Sequence, residues 1–454
     1  MSASRGEWLT FGVELEFYIT WETVPGSMKK PARLGDHPGG PLLVDGYYNV
    51  LDSLAEAINP LLNNMPTRGI VEPRRRQHIN STYLEWSVKP DGSLLLSDQM
   101  MGESRDDITY PYGWRGVELV SPVLLANRDG FNEVLQVVEF IRNNFWTETT
   151  ENAGLHIHIG NGNQWFPPTP LRHIACLLYA ADPVIAQCHP EHRRQNRLFA
   201  PSNRLFSNVS FGMKTHQTDQ HPPEPEDEAE QLHSPARINR AWRDILRPLD
   251  FFGWLYALNE DREAENFPPR PTEGAYKINP DDWELNLRLD RFNRYMGIAP
   301  ASPESAKQFT VIPMLQVMEQ LLASTTRDTL AQLMKAGAQR AAYNFDSHLY
   351  GRQFTKRTIE FRQPASTLDA AEILFQVVTA AALTHFAFQA SYGQLMKVVL
   401  DCNVAEDEPS FYDVYDLLLD LGLRNEARFL SRTSNVETRS DDAGKEYLRS
   451  LGLI

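Results

Sequence analysis

Four short segments put polar groups at alternate positions of apolar, strand-like runs. Gly12-Val13-Glu14-Leu15-Glu16-Phe17 carries two carboxylates, and Gly154-Leu155-His156-Ile157-His158-Ile159-Gly160 carries two imidazoles. Thr358-Ile359-Glu360-Phe361-Arg362 carries a carboxylate and a guanidinium, and Gly116-Val117-Glu118-Leu119-Val120-Ser121 adds Glu118. In a β-strand, residues two apart point to one face. Each segment is therefore expected to bury its apolar residues on one side and offer its polar pair on the other. If the strands line one cavity, four carboxylates, two imidazoles and a guanidinium gather in one place. Such a cluster is too costly to bury without divalent metal ions and an anionic ligand. The pattern implies a metal–nucleotide site.

The residue types narrow the chemistry. Paired Glu14 and Glu16 suit Mg²⁺, a hard cation that takes oxygen ligands; a solvated edge strand would show the same acids. The His156/His158 pair suits zinc, as in many hydrolases, and equally suits Mn²⁺ or Mg²⁺ among carboxylates or a hydrogen bond to phosphate. Glu360 and Arg362 either divide between a metal and an anion or pair with each other. A guanidinium there fits a phosphoryl oxygen or a substrate carboxylate. Pro90-Asp91-Gly92-Ser93 is a tight-turn signature, and it stands ahead of the Glu118 strand, where Asp91 and Ser93 would reach a ligand from a loop. Thr367 and Asp369 are expected to start a helix as N-cap signals. No glycine cradle of the Walker or dinucleotide type is present, so a nucleotide would be held through metal and arginine. Arg74–Arg76 and the basic residues between Arg193 and Lys214 carry no motif and are expected mostly at the surface, with one or two from the second stretch reaching phosphates.

Strands are expected near Gly12–Thr20, Thr82–Val88, Gly116–Val120, Leu155–Gly160, His348–Tyr350 and Thr358–Arg362. Helices are expected near Asn132–Asn144, Leu171–Cys188, Pro235–Leu258, Val311–Leu322, Thr326–Arg340, Ala370–Tyr392 and Tyr412–Leu421. Strands come early and helices late, which predicts an α+β fold with an antiparallel-rich sheet. Lys29–Gly46 and Thr215–Ser234 read as mobile loops, the second from its prolines and acids. A catalytic domain over residues 1–400 and a helical appendage over 401–454 are the expected organisation.

At 454 residues the chain can bury a large core. It shows no apolar run of about 18 residues, so no membrane partner is expected. Cys176, Cys188 and Cys402 are too few and too scattered for a disulfide framework or a zinc knuckle. The net charge of −15 weighs against nucleic acid as a partner. No signal pattern precedes the Glu14 strand, and a cytoplasmic location is the expectation.

Taken in order, GVELEF, PDGSL, GVELVSP, AGLHIHIG and TIEFRQPASTLD, spanning residues 12 to 369, resemble the putative amidoligase family. That family belongs to the carboxylate–amine ligase group that includes glutamine synthetase and glutamate–cysteine ligase. The resemblance implies a glutamine-synthetase-like catalytic domain, a curved antiparallel sheet forming a funnel with helices packed outside. It also implies ATP and Mg²⁺ or Mn²⁺ as cofactors. Glu14, Glu16, Glu118, His156 and Glu360 would be metal ligands, Glu16 the more direct of the strand pair. Arg362 would stabilise the transferring phosphoryl group, with Arg357 and a supporting His158 on the nucleotide side. Asp91 and Ser93 would sit near the acceptor end. The implied reaction joins a small-molecule or peptide carboxylate to an amine through an acyl phosphate. Pro364 stands where the family often has His, which puts substrate handling there in question. A zinc hydrolase, a guanidino phosphotransferase on a related fold, and a degenerate binding scaffold are the competing readings.

Overall fold

The computed structural model describes residues 9–63, 65, 72–73, 83–103, 112–194, 196–218, 262, 264–276, 279, 281–296, 310–349, 356–434 and 441–454. The expected helix Pro235–Leu258, most of the 215–234 stretch, Arg74–Arg76 and the start of the 82–88 strand lie outside these residues. Within them the chain forms two compact units. The first comprises Met1–Gly162, Pro364–Ala381 and Asp441–Ile454, and the second Asn163–Gln363 and Ala382–Ser440.

The first unit is organised by one long strand, β1 (Thr10–Glu22), whose run of β-branched and aromatic residues is buried almost throughout. It pairs antiparallel with β5 (Tyr112–Val120) on one side and β8 (Leu155–Gly160) on the other. β4 (Ser87–Lys89) extends the sheet antiparallel beyond β5, and β3 (Glu72–Pro73) pairs parallel with β4. β2 (Leu42–Leu43), β6 (Leu124–Leu125) and β7 (Thr147–Glu148) take up the ends of β1, β2 parallel and the other two antiparallel.

The result is a mixed α+β protein with a large antiparallel sheet. It corrects one expectation: the sheet is neither closed nor strongly curled into a funnel. The flanking strands explain why. At two or three residues each, β2, β3, β4, β6 and β7 are too short to carry a ladder around a barrel.

One face of this sheet is apolar. Val13, Leu15, Phe17, Val88, Val117, Leu119, Leu155 and Ile157 alternate with the polar residues and are essentially solvent-free. Helices Val50–Leu62 and Arg128–Asn144 belong to the same unit and bury one apolar stripe each. The second helix starts where Asn127 accepts the Gly130 amide proton at 3.1 Å. Gly130 is required there, since a Cβ would lie 2.2 Å from the Leu125 carbonyl oxygen.

The second unit contains β9 (Tyr343–Asn344) and β10 (Thr358–Phe361), an antiparallel pair, with a mainly helical remainder. Its helices include Pro168–Ile185, Met314–Leu322, Arg327–Met334, Tyr392–Asp407 and Val414–Asp420. Two expectations change here. His348 ends a 3₁₀ turn, Asp346–His348, rather than starting a strand, because the Asn344 side chain accepts the Asp346 amide and bends the chain. The helix expected to run to Arg340 stops at Met334, ahead of Gly337 at φ +60. Asp369 does cap helix Ala370–Gln389, accepting from the Ala371 and Glu372 amides at 2.9 and 3.2 Å. By length and composition that helix could cross a membrane, contrary to the expectation of no such run. However, 56% of its apolar window is buried in the fold, as in a core helix.

Candidate metal centre

Register decides what the polar face can do. Residues directly opposite in an antiparallel ladder project from the same face. Glu16 lies opposite Glu118, and Glu14 opposite His156. Gly12 lies opposite His158, and Lys89 opposite Glu118. Three adjacent strands and their β4 neighbour therefore place Lys89, Glu118, Glu16, Glu14, His156 and His158 on one face. Farther along the same face, an apolar cluster of Tyr18, Met28, Leu94, Met100, Trp114 and Ala153 replaces them.

All five acids and imidazoles are buried, between 4% and 9% exposed. His158 Nε2 sits 3.0 Å from Glu14 Oε1, and His156 Nδ1 3.4 Å from Glu14 Oε2 and 3.7 Å from Glu16 Oε1. The Gly154 amide donates to Glu16 Oε2 at 2.7 Å. Lys89 Nζ donates to Glu118 Oε1 at 2.9 Å. Burial first, and then the Glu14 charge, push the Glu118 carboxyl up from its ordinary value, while Lys89 pulls it back. The Glu14 charge disfavours ionisation of Glu118, and a divalent cation would reverse that preference.

The donor set fits such a cation. Buried carboxylate oxygens with imidazole nitrogen suit Mg²⁺ or Mn²⁺, and the Glu14–His158 pair is close enough to share an ion.

In the second unit Glu360 is a buried carboxylate of the same donor type. It accepts from Arg362 Nη1, and from Asn344 Nδ2 at 2.7 Å. Arg362 also donates from Nε to the Phe199 carbonyl at 3.2 Å. The intrastrand pairing of Glu360 with Arg362 is thus present in the structure. Arg357 is exposed, donates to the Asn163 carbonyl and lies over the Trp165 ring at 5.4 Å.

Asp91 and Ser93 follow β4 in the first unit. Asp91 Oδ1 accepts both the Ser93 amide and its hydroxyl, closing the turn its sequence announces.

The basic stretch after Arg193 is engaged structurally. Arg193, fully buried, donates to the Arg362 and Gln363 carbonyls, and Arg204 binds Glu406 and the Tyr179 hydroxyl. Arg194 binds the His189 carbonyl, and Arg197 binds Asp282 and Glu284. The expectation that most of these are surface charges fails for Arg193 and Arg204. Both anchor loops by pairing with carbonyl oxygens.

Three participants escaped sequence reasoning: Lys89, Asn344 and the Gly154 amide. For Lys89 a signal existed, since Ser87 and Lys89 alternate around buried Val88. Its partner depends on register, which no local pattern reveals.

The open sheet of this α+β chain carries, on one face, buried acids and imidazoles that could hold a divalent cation. A family model described as "Putative amidoligase enzyme" matches residues 7–240, just over half of the chain, and the chain belongs to that family. Four of the five motifs fall inside the match; the Glu360–Arg362 segment follows it. Neither the search of curated proteins nor that of solved structures finds a match.

Proposed function

We propose that the chain is an ATP-dependent carboxylate–amine ligase acting on amino-acid-like or peptide substrates. The observation that carries this reading is the register placing Glu14, Glu16, Glu118, His156 and His158 on one buried sheet face of an amidoligase-family chain. In this reading a substrate carboxylate attacks the γ-phosphorus of ATP, ADP leaves, and an amine then displaces phosphate from the acyl phosphate. Bound Mg²⁺ or Mn²⁺ would neutralise phosphoryl charge.

The protein's own work is alignment, because phosphoryl transfer needs little covalent help. Glu14, Glu16, Glu118 and His156 would hold the ions, with Glu360 as a further ligand. His158 fixes the Glu14 carboxylate, and the Gly154 amide fixes Glu16. Arg362 would meet the transferring phosphoryl group and Arg357 the nucleotide. Asp91 and Ser93 would shape the acceptor end from their turn. The glutamine-synthetase-like architecture belongs to this proposal.

A second reading draws on one observation, that both imidazoles of the His-x-His strand contact Glu14. Two histidines and one carboxylate are a common catalytic zinc set, and a zinc hydrolase would need no ATP.

Thermal unfolding with ATP and Mg²⁺, together and separately, decides between them. The ligase predicts stabilisation that needs both, about 2.7 kcal/mol at a hundredfold excess over Kd. It also predicts loss of that gain in Glu16→Gln, and ADP release on adding the right acid and amine. Stabilisation by zinc with no ATP effect would overturn it in favour of the hydrolase. No response to either would leave a binding scaffold.

A further inference from the structure

We infer that Lys89 is a positioning residue that competes with a divalent ion for Glu118. The inference rests on the reading of Glu118 as a metal ligand. Lys89 ends β4 directly opposite Glu118 and donates to Glu118 Oε1 at 2.9 Å. Its side chain is 25% exposed, against 11% for Glu118. The ammonium therefore reaches the buried carboxylate from the more exposed side and neutralises its charge.

An ammonium is a point charge on a flexible stem, so it can swing away without moving β4. A cation and an ammonium cannot share one carboxylate oxygen closely, because like charges in a buried site repel. An ion that takes Glu118 Oε1 must therefore displace Lys89, and one that takes Oε2 is still opposed by the nearby ammonium. The released ammonium stays anchored beside the ion on the Asp91–Ser93 side of the face. There it suits an anionic oxygen of an acid substrate or a phosphoryl group.

The arrangement has a chemical purpose. Without a cation, Lys89 holds Glu118 aimed; with one, the same lysine becomes available to an anion. Binding of ion and anionic ligand is then coupled through a single side chain.

The test is Mn²⁺ binding without nucleotide, followed by calorimetry and by the spin-resonance signal of free Mn²⁺. It uses the full chain as wild type, Lys89→Met, Lys89→Arg and Glu118→Gln. Removing the competitor should tighten one class of Mn²⁺ site in Lys89→Met by about tenfold or more, the scale of one charge-assisted hydrogen bond. Lys89→Arg should stay near wild type, and Glu118→Gln should abolish that class of site. A merely structural lysine would give weaker binding on removal, so unchanged or weaker binding in Lys89→Met overturns the inference. Absence of Mn²⁺ binding in every protein overturns both it and the metal-centre reading. Tightening in Lys89→Met with no ATP response in wild type upholds the competition and overturns only the ligase.

Discussion

Buried polar groups are handled differently in the two units. In the second, acids meet cations and neutral donors from their own unit. Asp182, fully buried, accepts from the Ser202 hydroxyl and the Tyr276 hydroxyl at 2.6 Å and from the Arg204 amide at 3.0 Å. Asp413 and Asp416 are bridged by Arg262, and Arg270 also grips Asp416. In the first, Glu22 and Glu133 also meet neutral donors, but at the centre of the sheet face acids stand in register beside acids. Glu16 faces Glu118 across a ladder with Glu14 two residues away, among imidazoles, an amide and one ammonium. Satisfied networks of the first kind fix a fold. Like charges arranged on a strand face are what a cation-binding site requires and what stability alone would not select.

The comparison is broken or sharpened most strongly at Asp416. It has no exposed surface and binds two arginines. Asp416→Ala would leave Arg262 and Arg270 without this partner in a largely dry site, and should cost about 3–5 kcal/mol. Denaturant unfolding measures it. Glu16→Gln should behave oppositely in metal-free protein. The amide oxygen still accepts from Gly154, and one of the crowded charges is gone, so the change should stay within about 1 kcal/mol. Its cost should appear only with metal, as lost stabilisation by Mg²⁺ or Mn²⁺. A Glu16→Gln protein as destabilised as Asp416→Ala would make the acid face a structural network like the other.

The same contrast explains what the sequence made legible. A period of two over long runs of β-formers exposed β1, β5 and β8 and the side each residue shares, because alternation is a local property. The N-cap at Asp369 and the turn at Asp91–Ser93 were legible for the same reason. Partners across strands were not. Lys89 meets Glu118 only through the β4–β5 register, and Asn344 meets Glu360 only through β9–β10. Strands of two residues have no period to detect, so the openness of the sheet was hidden along with them. Arg193 and Arg204 misled because long basic side chains usually stay in water, whereas here carbonyl oxygens more than a hundred residues away receive them.

A pH-dependent effect, smaller than that at Asp416, lies at an acid of the second unit that departs from its neighbours' pattern. Asp401, on helix Tyr392–Asp407, is 6% exposed, and its Oδ2 lacks a hydrogen bond among the described residues. Lys397 on its own helix lies 3.5 Å away but is held by Asp420 at 3.0 Å. Burial chiefly, with Asp420 and Asp416 nearby, raises the Asp401 carboxyl to about 7 against the opposing pull of Lys397. The folded protein then keeps a proton that the unfolded chain releases near pH 4. Its contribution to stability is full below that value, falls as pH rises toward about 7, and is level above. Neutral buried His189 and His348, both lowered to about 3, act in the opposite sense, costing stability as pH falls below about 6.5. The two histidines outweigh the one acid where their slopes overlap, so wild type alone would not isolate the Asp401 contribution. The difference between wild type and Asp401→Asn removes the histidine contribution. Asparagine should match aspartic acid near pH 4 and become the more stable form by on the order of 2 kcal/mol near pH 7.5. A difference that does not change with pH would mean that Lys397 satisfies Asp401 despite its contact with Asp420, as Arg262 satisfies Asp413, and the second unit would then hold no exception to its rule.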